Sequence, residues 1–255
     1  MTQSIAGGFP VSRSAVLVCV CAAAFAAPGP VERVLHVRVP MRDSIHLDTN
    51  VFYPAAAGRY PAVLVRTPYG KGADLNPSYR SFLDHGYALV VQDVRGRYDS
   101  DGVFNPLSQE GPDGSDTLDW IARQPWSNGK VGMIGGSYLG IAQWKVALLN
   151  NPHLRAIFPV VSGDDDYLDR FYSPGGASKL GHRLLWLSEN LTPPGLAKPK
   201  FPSYIYHLPL RTADRAATTG TQSLYQLALD HPSYDSFWKS ITSAGKRHLP
   251  PMLPT

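Results

Sequence analysis

Ser137 is the residue whose setting most clearly permits chemistry. It stands in the run Lys130-Val-Gly-Met-Ile-Gly-Gly-Ser-Tyr-Leu-Gly-Ile-Ala-Gln-Trp-Lys145. That run reads as a short buried strand, a glycine turn and a helix. A serine at the apex of such a turn has its Oγ lifted clear of its own backbone, as a nucleophile requires. The N–H of Tyr138 then falls at a helix N-terminus, where an oxyanion is stabilised. A serine that opens a helix can also be a simple N-cap; the strand and glycine turn before it favour the nucleophile. The pattern departs from a strict G-x-S-x-G, because Leu139 holds the second glycine position and Gly140 follows one later. Gly135 and Gly136 relieve the crowded turn, and Gly140 lets the helix approach its neighbours.

Other polar clusters read as structure. Arg95, Arg97, Asp99 and Asp101 share one loop and neutralise one another at little gain each. Asp113, Asp116 and Asp119 flank a helix start, where carboxylates suit the macrodipole. Asp164, Asp165 and Asp166 look metal-like, but no histidine or glycine-loop pattern accompanies them. A nucleotide-binding Rossmann domain is a weak rival, because Gly132, Gly135 and Gly136 lack the required spacing and Ser137 has no role there.

The elements that must position Ser137 follow from periodicity. Residues 35–41 and 45–53 alternate apolar and polar, which predicts an antiparallel hairpin with one wet face, His36 and His46 on that face. Buried-type strands are expected at 61–66, 87–93, 131–134 and 155–161, with helices at 78–86, 115–124 and 137–149. The alternation predicts an α/β fold, a mixed and mostly parallel sheet flanked by helices. Tyr69, Arg95 and Ser137 all follow strand ends, where ligands of such sheets bind. From Gly163 the alternation stops. Helices at 180–191 and 223–229, separated by a proline-rich irregular stretch, predict a mostly helical cap.

Composition sets outer limits. Hydrophobic residues make up 44% and charged residues 17% of 255, which suits a globular chain. The net charge of +4 includes no Lys/Arg run, so no nucleic-acid partner is expected. Residues 1–26 resemble a signal peptide: Arg13 precedes an apolar run ending in Ala24-Phe25-Ala26, too short for a comfortable membrane span. Export to the periplasm or beyond is expected. Both cysteines, Cys19 and Cys21, lie in this segment, so the mature chain would hold no disulfide.

Gly135-Gly-Ser-Tyr-Leu-Gly-Ile-Ala-Gln-Trp144 resembles the nucleophile segment of the cocaine esterase and X-Pro dipeptidyl-peptidase-like (CocE/NonD) family of α/β-hydrolases. Further segments are similar and in order: residues 41–54, Arg66-Thr-Pro-Tyr-Gly-Lys71, Val91-Gln-Asp-Val-Arg-Gly-Arg97, residues 119–126 and His231-Pro-Ser-Tyr-Asp-Ser-Phe-Trp238. The resemblance implies that the Tyr69 phenol donates to the oxyanion beside the Tyr138 N–H. A phenol that stays protonated at neutral pH suits that role. It also implies hydrolysis of a small ester, an amide or a short peptide, without metal or organic cofactor. The family places the base and its acid on loops after the cap, and the similarity ends near Ile241. The expected organisation is therefore a signal peptide at 1–26, a hydrolase core at 27–163, a helical cap at 164–241 and an aberrant tail at 242–255. A chain lacking the final strands, and impaired by loss of the catalytic Asp and His, is expected. Dipeptidyl-peptidase activity and a non-catalytic remnant are the alternatives. Within the chain, Asp164 could serve as acid, and His182, His207, His231 or His248 as base.

Overall fold

The computed structural model describes residues 29–193 and 195–244. The expected signal peptide and most of the expected tail, His248 included, lie outside them. The strands are β1 (Val31–Pro40), β2 (His46–Pro54), β3 (Tyr60–Thr67), β4 (Ala88–Asp93), β5 (Ser127–Gly136) and β6 (Leu154–Val160). They form one sheet in the order β1-β2-β4-β3-β5-β6. β1, β2 and β4 pair antiparallel; β4, β3, β5 and β6 pair parallel. The helices among these strands are α1 (Arg80–Asp84), α2 (Glu110–Ala122) and α3 (Tyr138–Ala147), and a 3-10 turn at Pro77–Tyr79 precedes α1.

The apolar runs in β3 and β4 supply both faces of the sheet centre, because successive side chains point to opposite sides. Leu64 and Val90 pack with Leu118 and Ile121 of α2 and Val146 of α3. Val63, Val65, Leu89 and Val91 pack on the other face with Leu83 of α1. The sheet is thereby flanked by helices on both sides.

Three expectations need correction. The hairpin does not have a wet face along β2: Asp48 and Asn50 are 3% and 0% exposed. β2 is an inner strand, and the loops after β3 and β4 cover its polar residues. The Asn50 side chain donates to Gly72 O (2.9 Å), and the Asp48 carboxylate pairs with Lys71 (2.9 Å). On β1 the alternation breaks at a register shift between Val34 and Val37, where His36 takes φ 56° and donates its N–H to Asn50. α2 begins five residues before the expected Ser115, running through Pro112. A proline in the first turn removes only an N–H that had no intrahelical partner.

After β6 the chain turns to helices. A single π turn at Asp166–Phe171 leads to α4 (Leu180–Leu191), α5 (Phe201–Ile205), a 3-10 turn at Leu210–Thr212, α6 (Ala213–Thr218), α7 (Ser223–Asp230) and α8 (Ser236–Ile241). α5 and α6 lie in the stretch expected to be irregular. Each is only five or six residues long, and their helical state comes from packing: Tyr204, Ala213 and Ala217 share a core with Leu184, Leu187 and Tyr225. A second cluster, with Tyr167, Phe171, Tyr172 and Trp238, seats the cap on Val94, Leu107 and Tyr138. The result is an α/β-hydrolase-like sheet with a helical cap over the carboxyl ends of its parallel strands. β6 is an edge strand, and it leaves Phe158 68% and Val160 41% exposed.

Candidate active site

β3 and β5 pair side by side, and both run on past the Leu64–Met133 pair to end at Thr67 and Gly136. Tyr69 and Ser137 emerge just beyond those two ends. Ser137 has φ 57° and ψ −122°, a conformation that costs a non-glycine residue roughly 1–3 kcal/mol. The surroundings hold it there. Its N–H donates to Val160 O (2.9 Å), and its carbonyl accepts from the N–H groups of Gly140 (3.0 Å) and Ile141 (3.1 Å). It occupies the N-cap position of α3, yet its side chain makes no capping bond and is exposed. The simple N-cap reading therefore fails on geometry.

The flanking glycines are required by space. A Cβ on Gly135, which has φ 138°, would lie 2.5 Å from Leu139 Cβ. A Cβ on Gly140 would lie 2.5 Å from Ser162 Cβ, just past β6, so the helix does approach the neighbouring strand closely. Gln143 adds a tie that the sequence did not announce. Its amide donates to Gly135 O (3.2 Å) and Leu139 O (3.1 Å) and accepts from Phe158 N (2.8 Å), joining the turn to β6.

Two donors were expected near Ser137. The Tyr138 N–H is the first of α3 and has no acceptor among the described residues. Tyr69 sits on a turn in which its N–H donates to Thr67 Oγ1 (3.0 Å). Its hydroxyl oxygen accepts from Trp186 Nε1 (3.3 Å), which leaves the phenolic proton available for donation. Trp186, from α4, also stacks on Tyr138 with centroids 6.0 Å apart and 12° between planes. Arg97 clamps the same turn to the cap, donating to Pro68 O (3.0 Å) and Asn190 O (2.6 Å). Neither Trp186 nor Arg97 was identified from sequence as a positioning residue, because their partners lie 117 and 93 positions away.

Below the turn, the Tyr138 side chain is fully packed. Its hydroxyl donates to Glu110 Oε1 (2.7 Å) and accepts from Leu107 N (3.3 Å). Glu110 pairs in turn with Arg66 (2.8 Å), whose side chain is completely buried. Desolvation raises the Glu110 carboxyl above its ordinary range, opposed by Arg66 and by the Tyr138 hydrogen bond. Desolvation, reinforced by Glu110, raises the Tyr138 phenol well above its ordinary value. The side chain of the residue after the nucleophile is thus locked, and with it the direction of its N–H.

A cavity of about 130 Å³ opens at Ser137 and is lined by Tyr138, Ser162, Asp169, His182, Arg183 and Trp186 among others. His182 is the one histidine of that lining among the described residues. It is poorly placed as a base. Its Nδ1 faces the Arg183 guanidinium (2.9 Å), so neutral imidazole accepts there and carries its proton on Nε2. Desolvation, Arg183 and Lys179 lower its proton affinity further. His231 and Asp235 are paired (2.6 Å), but neither residue lines the cavity; Asp235 caps α8, accepting from Phe237 N (3.0 Å). His207 meets Thr212 Oγ1 (2.7 Å) in the cap. Asp164 does not line the cavity; its carbonyl accepts from Ser243 and Ala244 N–H.

The remaining charged groups are paired, but with partners outside their own clusters. The loop of Arg95, Arg97, Asp99 and Asp101 does not neutralise itself as expected, since Asp99 meets Lys71 and Asp101 meets Arg38. Arg95 bridges Asp43 (2.7 Å) and Asp113 (2.6 Å), Arg42 holds Asp116 (2.8 Å), and the Asn151 amide holds Asp119 (2.8 Å). Asp166 pairs with Lys145 and Arg170. His36, Asp48 and Asp99 converge closely enough to suggest a metal site. The Lys71 ammonium already sits on both carboxylates there, 2.9 and 2.7 Å away, and supplies the cation.

Comparison with known proteins shows the family. The chain is 35% identical over 231 residues to the cocaine esterase of Rhodococcus sp. (strain MB1 Bresler), covering 81% of this chain and 40% of that one. A CocE/NonD family hydrolase from Staphylococcus aureus superposes with a TM-score of 0.63 at 27% identity, over 82% of this chain and 38% of that one. An α-amino acid ester hydrolase superposes with a TM-score of 0.66 at 26% identity, over 90% and 43%. The chain therefore spans less than half the length of each of these relatives. With the family match running over residues 43–250, the chain belongs to the X-Pro dipeptidyl-peptidase (S15) family.

Proposed function

We propose that Ser137 is the nucleophile of acyl transfer from a small ester or amide to water. The observation that carries this reading is an exposed serine, strained and making no side-chain cap, beside a Tyr138 N–H that has no partner among the described residues. In the proposed reaction, Ser137 Oγ attacks the carbonyl carbon. The Tyr138 N–H and the Tyr69 O–H receive the developing oxyanion, the leaving group departs, and water releases the acyl-enzyme. Relatives named for esterase chemistry support the reaction class.

The reaction also needs a base oriented by an acid. No histidine–carboxylate pair lines the cavity among the described residues. We infer that turnover by these 255 residues is impaired, and that replacing His182 or His231 by alanine leaves it unchanged. A fluorophosphonate probe tests the nucleophile. Labelling of the folded chain that disappears in Ser137→Ala supports it, whereas no labelling leaves a non-catalytic remnant as the better reading. A second reading, removal of X-Pro dipeptides, rests on the family description and on the Asp169 carboxylate in the cavity lining, which could meet a free peptide amine. Faster turnover of a Gly-Pro anilide than of simple aryl esters would favour it.

A further inference from the structure

We propose that Lys71 is a positioning residue for the Tyr69 phenol, its backbone N–H and its ammonium closing together on the buried carboxylate of Asp93; the role rests on the hydrolytic reading above. Tyr69 is followed by Gly70 and Gly72, with φ 99° and 81°, one on each side of Lys71. Glycine leaves the backbone free to take other conformations, so the turn that carries the phenol needs an anchor. Lys71 supplies one. Its N–H donates to Asp93 Oδ1 (2.7 Å) and its ammonium to Asp93 Oδ2 (3.3 Å). Asp93 closes β4 and pairs in register with Thr67, the last residue of β3. One carboxylate therefore grips the chain just past Tyr69, beside the strand end from which the turn departs.

The same ammonium reaches Asp48 on β2 (2.9 Å) and Asp99 on the loop after β4 (2.7 Å), which ties the turn to two further segments. The side chains of Lys71, Asp48 and Asp93 are 3%, 4% and 1% exposed, so water screens these contacts little. Arg38 also approaches Asp48 (3.6 Å), whereas Asp93 pairs with no cation but Lys71 among the described residues. Arg97 grips the turn at Pro68 O and Asn50 at Gly72 O, but neither bond lies between the two glycines. Desolvation works against the Lys71 charge. Hydrogen bonds to Asp99 and Asp48 and the charge of Asp93 outweigh it and raise the proton affinity above the ordinary lysine range, so the anchor stays charged at neutral pH. Removing the cation leaves two buried carboxylates that repel each other, and the turn moves with them.

Fluorotyrosine placed at position 69 reports the surroundings of the phenol by fluorine NMR. The same probe in place of Tyr225, buried in α7 of the cap, is the control. Lys71→Met is expected to shift or split the resonance at position 69 and to leave the control in place. If Lys71→Met does not fold, its combination with Asp48→Asn, which removes two opposite buried charges together, carries the same expectation. Fluorophosphonate labelling adds a kinetic reading. Lys71→Met is expected to slow labelling at least about tenfold, since loss of a whole oxyanion donor costs about 10²–10³. In a Tyr69→Phe background the same substitution is expected to change the rate by less than about twofold, because the phenol it positions is gone. An unmoved resonance at position 69, an equal displacement of the control, or a full slowdown that persists in the Tyr69→Phe background would overturn the proposal. Absence of labelling in the unsubstituted chain refutes the hydrolytic reading, while the resonance at position 69 still decides the anchor, so the two failures are told apart.

Discussion

Replacing Tyr138 by phenylalanine removes one oxygen from the centre of the molecule, and its cost can be worked from the structure. The hydroxyl donates to Glu110 at 2.7 Å and accepts from Leu107 N at 3.3 Å. Tyr138 and Glu110 are 3% and 2% exposed, so water does not replace either bond. A hydrogen bond to a charged group contributes about 1.5–3 kcal/mol, and the orphaned Leu107 N–H adds about 1. Glu110 keeps its bond to Arg66, which limits the total to about 2–4 kcal/mol. For a domain of this size that corresponds to a fall in Tm of about 5–12 °C. Urea unfolding followed by circular dichroism, with matched calorimetry, measures both quantities. The network makes a further demand. Glu110→Gln combined with Tyr138→Phe must show a coupling energy above about 0.5 kcal/mol, because the two residues share one bond. A loss below about 0.5 kcal/mol in the single variant, or strict additivity in the pair, would refute the account of Tyr138 as a locked residue beneath the nucleophile turn.

Other predictions follow from the same geometry. Ser137→Gly should raise stability by about 1 kcal/mol, since the residue's φ of 57° suits glycine, and an unchanged melting temperature would argue against strain at the turn. Gly114→Ala should lower stability by about 1–3 kcal/mol: its Cβ would fall 2.2 Å from Val146 Cγ2, and both helices would have to separate. Desolvation holds the phenols of Tyr138 and Tyr225 above their ordinary value, Tyr225 at about 12. Folded protein then keeps protons that unfolded protein releases. Their contribution to stability is constant below pH ~10 and is lost as pH rises past it, by about 1.4 kcal/mol per pH unit for each such group. Absorbance at 295 nm from these two tyrosines should appear together with loss of the circular dichroism signal; their ionisation in folded protein would contradict the burial argument. Phe158→Lys on β6 should reduce concentration-dependent association in light scattering, because it places a charge on an exposed apolar edge strand.

How much was legible beforehand depended on the range of the interaction. Ser137 and the six strands were readable because a buried strand, a glycine turn and a following helix are encoded within about fifteen consecutive residues. Gly135 and Gly140 were readable for the same reason, although the atoms they make room for, on Leu139 and Ser162, were not. The polar face of β2 was misread. Alternation alone gives Asp48 and Asn50 to solvent, and only the covering loops, with Lys71 and Gly72, make them interior. α5 and α6 were missed because short helices depend on tertiary packing rather than on local propensity.

Local order along the chain therefore determined the sheet, the nucleophile turn and the change to a helical cap. The tertiary structure decided what surrounds the nucleophile. It bonded Trp186 to Tyr69 and stacked it on Tyr138, clamped the Tyr69 turn through Arg97, and buried Glu110 and Arg66 beneath the turn. It also set His182 against Arg183 rather than against a carboxylate. Each of these pairings joins residues whose separation or relative orientation no periodicity encodes, so only the folded packing of cap on sheet could fix them.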